Sequence, residues 1–348
     1  MRLQIYEAND EEEILSSYKR ITQKDIHFDL DYLKIFSKYH QCDIFYTKYG
    51  DNDDYLMVPY FLRPIDDHFD LISPWYYGGP IFTTENRTKR IELYKKFRKE
   101  FPQICKERSV ISEFMRFNPL FDNFFPEVDK GSLTLQGQSI VINVSWNLDR
   151  IRKDFKDRVK KNVHSGRNKG LEIEVTNDKN LYPIFKEIYL KTMKDINASN
   201  FYLFNNEFFD DILKTFEKDM IMYFVKWNGK RISGTVDLGR YGIIHDFLRG
   251  TLREYMKLNP NYILMVRMIE EAHKRGFKEF SIGGGRTNKP NDSLFFFKSS
   301  FSKDIRNSYV FKNVYDKKAY KSICNERKLG ECLFDKASFF PEYRAGYK

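Results

Sequence analysis

The chain has 348 residues, a formal net charge of +10, 41% hydrophobic and 17% aromatic side chains. This excludes an intrinsically disordered chain and suits two domains of ordinary size, each able to bury its own core. No run of about 18 apolar residues occurs, which excludes a spanning helix, and the start MRLQIYEANDEEE carries no apolar leader.

The positive balance fits an anionic partner such as nucleic acid, nucleotide, phospholipid or a polyphosphate-linked substrate; a composition rich in lysine and asparagine gives the same number without one. Cys42, Cys105, Cys324 and Cys332 show no CxxC spacing and no neighbouring histidine pair. That pattern fits reduced thiols in a cytoplasmic protein and predicts no metal site.

In chain order, Asn9 to Tyr18 reads as a short helix capped by Asn9, with acidic residues in its first turn. Phe28 to Tyr39 reads as a second, with Leu30, Leu33, Ile35 and Phe36 on one side. Cys42 to Tyr49 and Tyr55 to Leu62 read as paired strands around a turn at 50–54, the second ended by Arg63-Pro64. Asp70 to Pro80, DLISPWYYGGP, sets three aromatics and two glycines between prolines. It is either a packed turn or a rigid aromatic loop whose backbone amides suit stacking or phosphate contact. Thr88 to Glu100 reads as a basic helix and Val110 to Asn118 as a strand. In that strand Glu113 and Arg116 form either an ion pair or a substrate contact.

Gln138 to Val144 reads as a strand, and a helix opens at Trp146 to Asp149. The most basic run follows, RIRKDFKDRVKKNVHSGRNK over 150–169. Ile151, Phe155 and Val159 give it one apolar stripe at four-residue spacing. Arg152, Lys153, Lys156, Lys160 and Arg167 form either a solvated face or a phosphate-contacting one. Leu171 to Val175 reads as a strand and Tyr182 to Lys194 as an amphipathic helix. Ile221 to Trp227, Lys230 to Leu238 and Ile243 to Arg249 read as three antiparallel strands, with turns at Asn228-Gly229 and Gly239 to Gly242. A helix at 261–275 ends in Lys274, Arg275 and Gly276, and Phe277, Phe280 and Ile282 mark a short strand. Gly283, Gly284 and Gly285 stop that strand, and after a polar loop Lys298 stands between Phe297 and Phe301, snorkelling from a core edge or aimed into a cleft.

The sequence of strand, GGG, Asp292-Ser293-Leu294, Phe297-Lys298 and Ser300-Phe301 resembles the signature of the Fem-type (FemABX) aminoacyltransferases and their GNAT-superfamily relatives. The DLISPWYYGGP segment, the EF–R–NPL pattern at 113–120, the 150–170 run and LYPIFKEIYLKTMKD with Phe201-Tyr202 and Phe208-Phe209 resemble the same family. The resemblance implies an α+β chain with a mixed sheet: two tandem GNAT-like domains, 1–145 completed by 318–348, and 146–317, with a cleft between them. It implies an aminoacyl-tRNA donor, no bound cofactor, and an amine acceptor on a nucleotide- or lipid-linked envelope precursor, with peripheral membrane association. The basic residues of 150–169 then become tRNA contacts. Implied substrate contacts are Tyr76, Tyr77, Gly78, Gly79, Glu113, Arg116, Tyr202, Arg249, Gly284, Gly285, Arg286 and Phe297. The arginine and tyrosine that hold a nucleotide–peptide acceptor in the peptidoglycan branch fall on Phe204 and Phe208, which disfavours a muropeptide. No heptad repeat marks a long helical arm.

Amide formation by direct amine attack needs alignment and oxyanion stabilisation but no covalent nucleophile. No GxSxG or Walker loop is present. The resemblance makes Lys298 the stabilising cation, and Asp246 with His245 and Arg249 is the candidate for proton handling. GNAT enzymes that use acyl-CoA place a glycine-rich pyrophosphate loop before the helix that here starts near 260, where this chain reads REYMKLNPNY. An aminoacyl-tRNA donor is therefore the leading expectation. An acyl-CoA-dependent N-acyltransferase of polysaccharide synthesis is the alternative, and a non-enzymatic nucleic-acid-binding protein a third.

Overall fold

Alternating apolar patterning drives strands and four-residue stripes drive helices, and the computed structural model shows where each pattern is buried. It describes residues 2–287, 291–329, 332–334 and 339–345. Up to residue 143 the elements are β1 (Arg2–Glu7), α1 (Glu11–Lys19), α2 (Leu30–His40), β2 (Asp43–Gly50), β3 (Tyr55–Ile65), β4 (His68–Ile72), β5 (Ile81–Phe82), α3 (Arg87–Glu107), β6 (Val110–Arg116) and β7 (Leu133–Asn143). Then come α4 (Leu148–Lys153), α5 (Asp157–Asn168), β8 (Glu172–Thr176), α6 (Tyr182–Asp195), α7 (Asn206–Phe216), β9 (Met220–Trp227), β10 (Lys230–Arg240) and β11 (Ile243–Thr251). The chain finishes with α8 (Pro260–Lys274), β12 (Glu279–Gly283), α9 (Ser293–Lys298), β13 (Asp304–Val314) and α10 (Lys317–Glu326). The fold is mixed α+β. It divides into two units, Met1–Gln136 with Asn307–Tyr347, and Gly137–Arg306, so the chain leaves the first unit within β7 and returns to it within β13.

In the first unit β2 and β3 form the expected hairpin, Asp43 opposite Leu62 and Gly50 opposite Tyr55. Asp51 Oδ1 pins the turn by accepting the amides of Asp53 (3.1 Å) and Asp54 (2.9 Å). β3 runs on through Arg63-Pro64, because Arg63 and Pro64 pair with Asp70 and Phe69 of β4. The first helix starts two residues later than its patterning suggests, after Asp10, whose carboxylate accepts the Glu7 amide at 2.8 Å. α3 continues past Pro102 to Glu107, because Leu93, Tyr94, Phe97, Phe101 and Cys105 all bury on one face.

That face covers a charged centre. Glu113 is fully buried and accepts from Arg98 Nη1 at 2.9 and 3.0 Å, from the Tyr60 hydroxyl at 2.6 Å and from the Tyr315 hydroxyl. The Arg98 guanidinium also lies 4.0 Å over the Phe311 ring. The ion pair expected between Glu113 and Arg116 is not formed. Residues three apart on a strand project to opposite faces, and Arg116 Nε donates to Gln136 Oε1 at 3.2 Å. Nearby, Asp129 accepts from the Tyr94 hydroxyl at 3.1 Å, and burial pushes its carboxyl up to about 7.

The second unit orders its strands β7, β12, β11, β10, β9, β8. β11 and β12 are parallel and joined by α8; the other neighbours are antiparallel. Asn228 and Gly229 adopt φ of 48° and 76° at the β9–β10 turn, and Tyr241 and Gly242 adopt 57° and 81° at the next, the left-handed pairs that tight hairpins need. Beyond α8, Gly276 at φ 78° closes the helix, and the Phe277 amide returns to the Ala272 carbonyl at 3.1 Å. The basic run is not one helix. It breaks between α4 and α5, where the extended Lys156 donates its amide to the Ser300 carbonyl at 2.9 Å. Ile151, Phe155 and Val159 are all buried, and Phe155, in the break, packs edge-on against Phe301 at 5.7 Å.

Removing Arg98 strands a buried carboxylate, so Arg98→Ala is expected to cost about 3–5 kcal/mol in urea unfolding. Replacing both partners, Arg98→Met with Glu113→Leu, is expected to cost clearly less than Arg98→Ala alone.

Candidate functional site

A strand alternates its faces, so Asp246 and Arg249, three apart, would ordinarily point apart. An irregularity in the β10–β11 ladder changes this: Val236 pairs with Leu248 and Asp237 with Asp246, leaving Phe247 as an extra residue. The bulge turns Asp246 and Arg249 to one face, where Asp246 Oδ2 lies 3.0 Å from Arg249 Nη2. Thr235 donates to Asp246 Oδ1 at 3.3 Å, and Arg249 Nη2 also reaches the Met268 sulfur of α8 at 3.2 Å. Asp237, opposite Asp246, is fully buried, forms no ion pair among the described residues, and has the buried Tyr223 hydroxyl of β9 as its hydrogen-bonding neighbour. His245 is buried too, but as the residue next to Asp246 it projects to the opposite face. The expected trio therefore resolves into an Asp246–Arg249 pair with His245 apart from it.

Lys298 is delivered to this pair by the glycine segment and α9. Gly283 ends β12 at φ 70°, a conformation costly for any residue with a Cβ. A Cβ on Gly285 would sit 2.6 Å from Asp292 Oδ1, so only glycine admits the carboxylate there. Asp292 caps α9 by accepting the Phe295 amide at 2.8 Å, and it also accepts the Arg286 and Thr287 amides at 3.0 and 2.8 Å and the Thr287 hydroxyl at 3.0 Å. The Phe295 amide, followed by the others, holds its carboxyl down to about 2. The loop residues Asn288, Lys289 and Pro290 lie outside the described residues.

At the end of α9 the half-buried Lys298 ammonium would lie 3.4 Å from a Cβ on Gly283, and it has no hydrogen-bond or ion-pair partner among the described residues. Burial pushes its pKa down to about 8; the Asp246 and Asp292 carboxylates oppose that shift and Arg249 adds to it. A cation next to an acid–base pair, at the lip of a glycine-bounded loop, can stabilise a developing oxyanion.

The other predicted residues fall as follows. Gly284 faces the Gln138 carbonyl, 2.4 Å from where a Cβ would stand, and the Arg286 side chain is exposed. Phe297 packs edge-on against Tyr262 (5.0 Å) and Phe301 (5.2 Å), a core-edge role. Tyr202 is 42% exposed. Phe204 and Phe208 are buried and stacked at 3.9 Å, so the positions that would hold a nucleotide–peptide acceptor fill a core. Lys153, Lys156, Lys160 and Arg167 are exposed, and Arg152 pairs with Glu270 at 2.9 Å. Beside them Arg158 lies 3.3 Å over the 60%-exposed Phe296 ring.

Tyr76, Tyr77, Gly78, Gly79, Glu113 and Arg116 belong to the first unit. Tyr76 sits at φ 71°, and its ring and that of Tyr77 flank the buried His27 at 5.6 and 5.2 Å. His27 Nδ1 lies 2.8 Å from Asp25 Oδ1, and Asn118 donates to the other oxygen at 2.9 Å. The Gly78 amide donates to the Arg116 carbonyl at 2.7 Å, and a Cβ on Gly79 would meet Asn123 and Phe117 at 2.8 Å. Sequence reasoning missed the Asp25–His27 pair, Thr235, Asp237 and Tyr223. Only Asp237 left a trace, as an acidic residue inside the β-patterned ISGTVDL run. It also missed that the Cys324 and Cys332 thiols and the Glu342 carboxylate lie within 4.8 Å of one another.

Residues 150–291 match the family model described as acetyltransferase (GNAT) domain. No curated protein matches the chain. Among solved structures, FemX superposes with a TM-score of 0.70 at 11% identity, over 93% of this chain and 100% of that one. L-PGS from Bacillus licheniformis superposes with a TM-score of 0.57 at 11% identity, over 92% and 98%. No helix among the described residues is long and apolar enough to cross a membrane. Residues 150–291 are thus similar to a GNAT acetyltransferase domain, and the chain as a whole has a fold like that of FemX.

Proposed function

We propose that this protein joins an aminoacyl or acyl group to an amine of a cell-envelope precursor, an amino sugar or a peptide, by direct amine attack. The observation that carries the reading is Lys298: a desolvated cation beside the Asp246–Arg249 pair, with no hydrogen-bond or ion-pair partner among the described residues. In the reaction, the neutral amine attacks the ester carbonyl carbon, the Lys298 ammonium stabilises the oxyanion, and the carbon–oxygen bond to the donor breaks as the nitrogen loses its proton. An aminoacyl-tRNA donor is supported by the Fem resemblance, by the exposed cations on α4 and α5, and by the start of α8. There Pro260 stands at the first turn and offers no amide to a pyrophosphate. The buried Phe204–Phe208 stack supports an acceptor other than a nucleotide–muropeptide. The reaction would take place in the cytoplasm, with peripheral association where the acceptor is lipid-linked. The second reading, acyl-CoA as donor, is favoured by the GNAT domain match and predicts thermal stabilisation by CoA.

The test is to incubate the protein with charged tRNA and, separately, acyl-CoAs, using amino-sugar nucleotides and hydroxylamine as acceptors. Lys298→Ala is expected to lower kcat by about 10²–10³-fold, the scale of removing one oxyanion-hole donor. With hydroxylamine, an amine already neutral near neutrality, wild-type transfer is expected to fall above about pH 8 as Lys298 loses its charge. Lys298→Arg should move that fall to higher pH; an unchanged profile removes Lys298 from the chemistry.

Reversing the charge of Lys153, Lys156 and Lys160 together is expected to weaken tRNA binding in filter assays and to lower the salt slope by about one for each phosphate no longer neutralised. The unfolding midpoint should hold, because all three side chains are exposed.

A further inference from the structure

The β10–β11 bulge sets two carboxyl groups opposite each other, and Asp246 is the one with a bound cation. Asp246 is held by Thr235 and Arg249. Asp237 is fully buried and forms no ion pair among the described residues; its hydrogen-bonding neighbour is the buried Tyr223 hydroxyl on the next strand of the same face. A fully buried carboxylate without a cation bound to it is costly, and a second carboxylate opposite it adds to the cost, so such a group holds its proton instead. We propose that Asp237 and Asp246 act as one proton-sharing pair, in which Asp246 meets the amine and Asp237 is a positioning residue that stores the proton beneath it. This rests on the transferase reading.

The pair carries one proton at rest. As the nitrogen–carbon bond forms, the amine gives a proton to Asp246. As the ester carbon–oxygen bond breaks, the pair returns a proton to the leaving oxygen and ends as it began. Burial, then the Asp246 charge, raises Asp237 well above the usual carboxylic range, with Arg249 and the Tyr223 hydroxyl opposing. The other charges near this face are Glu271 of α8, already bound by Arg267 (3.0 Å) and Arg275 (2.9 Å), and Lys298 and Asp292 at α9.

Asp237→Asn and Asp246→Asn test the proposal, alone and combined. A carboxyl whose folded pKa is raised binds more protons folded than unfolded, so its presence costs stability as pH rises. The melting-temperature advantage of Asp237→Asn over wild type is therefore expected to grow from about pH 5 to about pH 9, and to shrink at each pH when Asp246 is already asparagine. A pH-independent difference overturns the stored proton, and a difference unaffected by Asp246→Asn overturns the sharing. In transfer to hydroxylamine, Asp237→Asn is expected to lower kcat about 10²-fold and to reshape the pH profile while KM for the donor holds, with Asp237→Glu restoring the shape. A loss uniform across pH overturns the proton role. If wild type transfers nothing while the stability curves behave as stated, the transferase reading fails and the paired carboxyls stand. Should Asp237→Asn not fold, carboxyl carbon NMR of the wild type over the same range reads the proton directly, and an aspartate ionised throughout overturns the proposal.

Discussion

The Asp292 carboxylate is the constraint on which the candidate site depends. One oxygen caps α9 through the Phe295 amide, and the other gathers the Arg286 and Thr287 amides of the loop after the glycines. A single side chain thus ties the end of β12 to the start of the helix whose last residue is Lys298. Such an anion needs donors on several sides, and only a residue without a Cβ at 285 leaves it room. The three glycines and the aspartate are therefore one device, with separate steric and electrostatic parts.

What this device delivers is a cation in a place that disfavours charge. Burial works against the Lys298 ammonium and the Asp246 and Asp292 carboxylates work for it, so its protonation stands close to neutrality. The same bulge that pairs Asp246 with Arg249 sets the fully buried Asp237 opposite Asp246. Lys298 and Asp237 are thus groups whose charge is set by burial and by their neighbours rather than by solvent.

The first unit uses the same chemistry for a different end. Glu113 is as buried as Asp237, but Arg98, Tyr60 and Tyr315 satisfy it completely. A buried carboxylate bound by a cation and two hydroxyls fixes the register of the helix and strands around it, whereas Asp237 faces a second carboxylate and no bound cation among the described residues. The contrast lies in partners rather than burial, which is why accessibility alone does not separate a core residue from a site residue.

The sequence by itself determined what depends on neighbours along the chain. The left-handed turn at Asn228-Gly229, the cap at Gly276, the stripe of Ile151, Phe155 and Val159, and the order of strand, glycines and Phe297-Lys298 all follow from local geometry and periodicity. Together with the Fem resemblance they were enough to read the α+β fold and to single out Lys298. The tertiary structure alone decided what depends on register and on distant partners. One extra residue, Phe247, turns Asp246 and Arg249 together and His245 away. An arginine from α3 takes Glu113 away from Arg116. Packing of Phe155 against Phe301 divides the basic run into two helices. Asp237 becomes notable only once a second carboxylate, Asp246, proves to stand opposite it, because a strand pattern shows which face a residue takes but not what stands across from it.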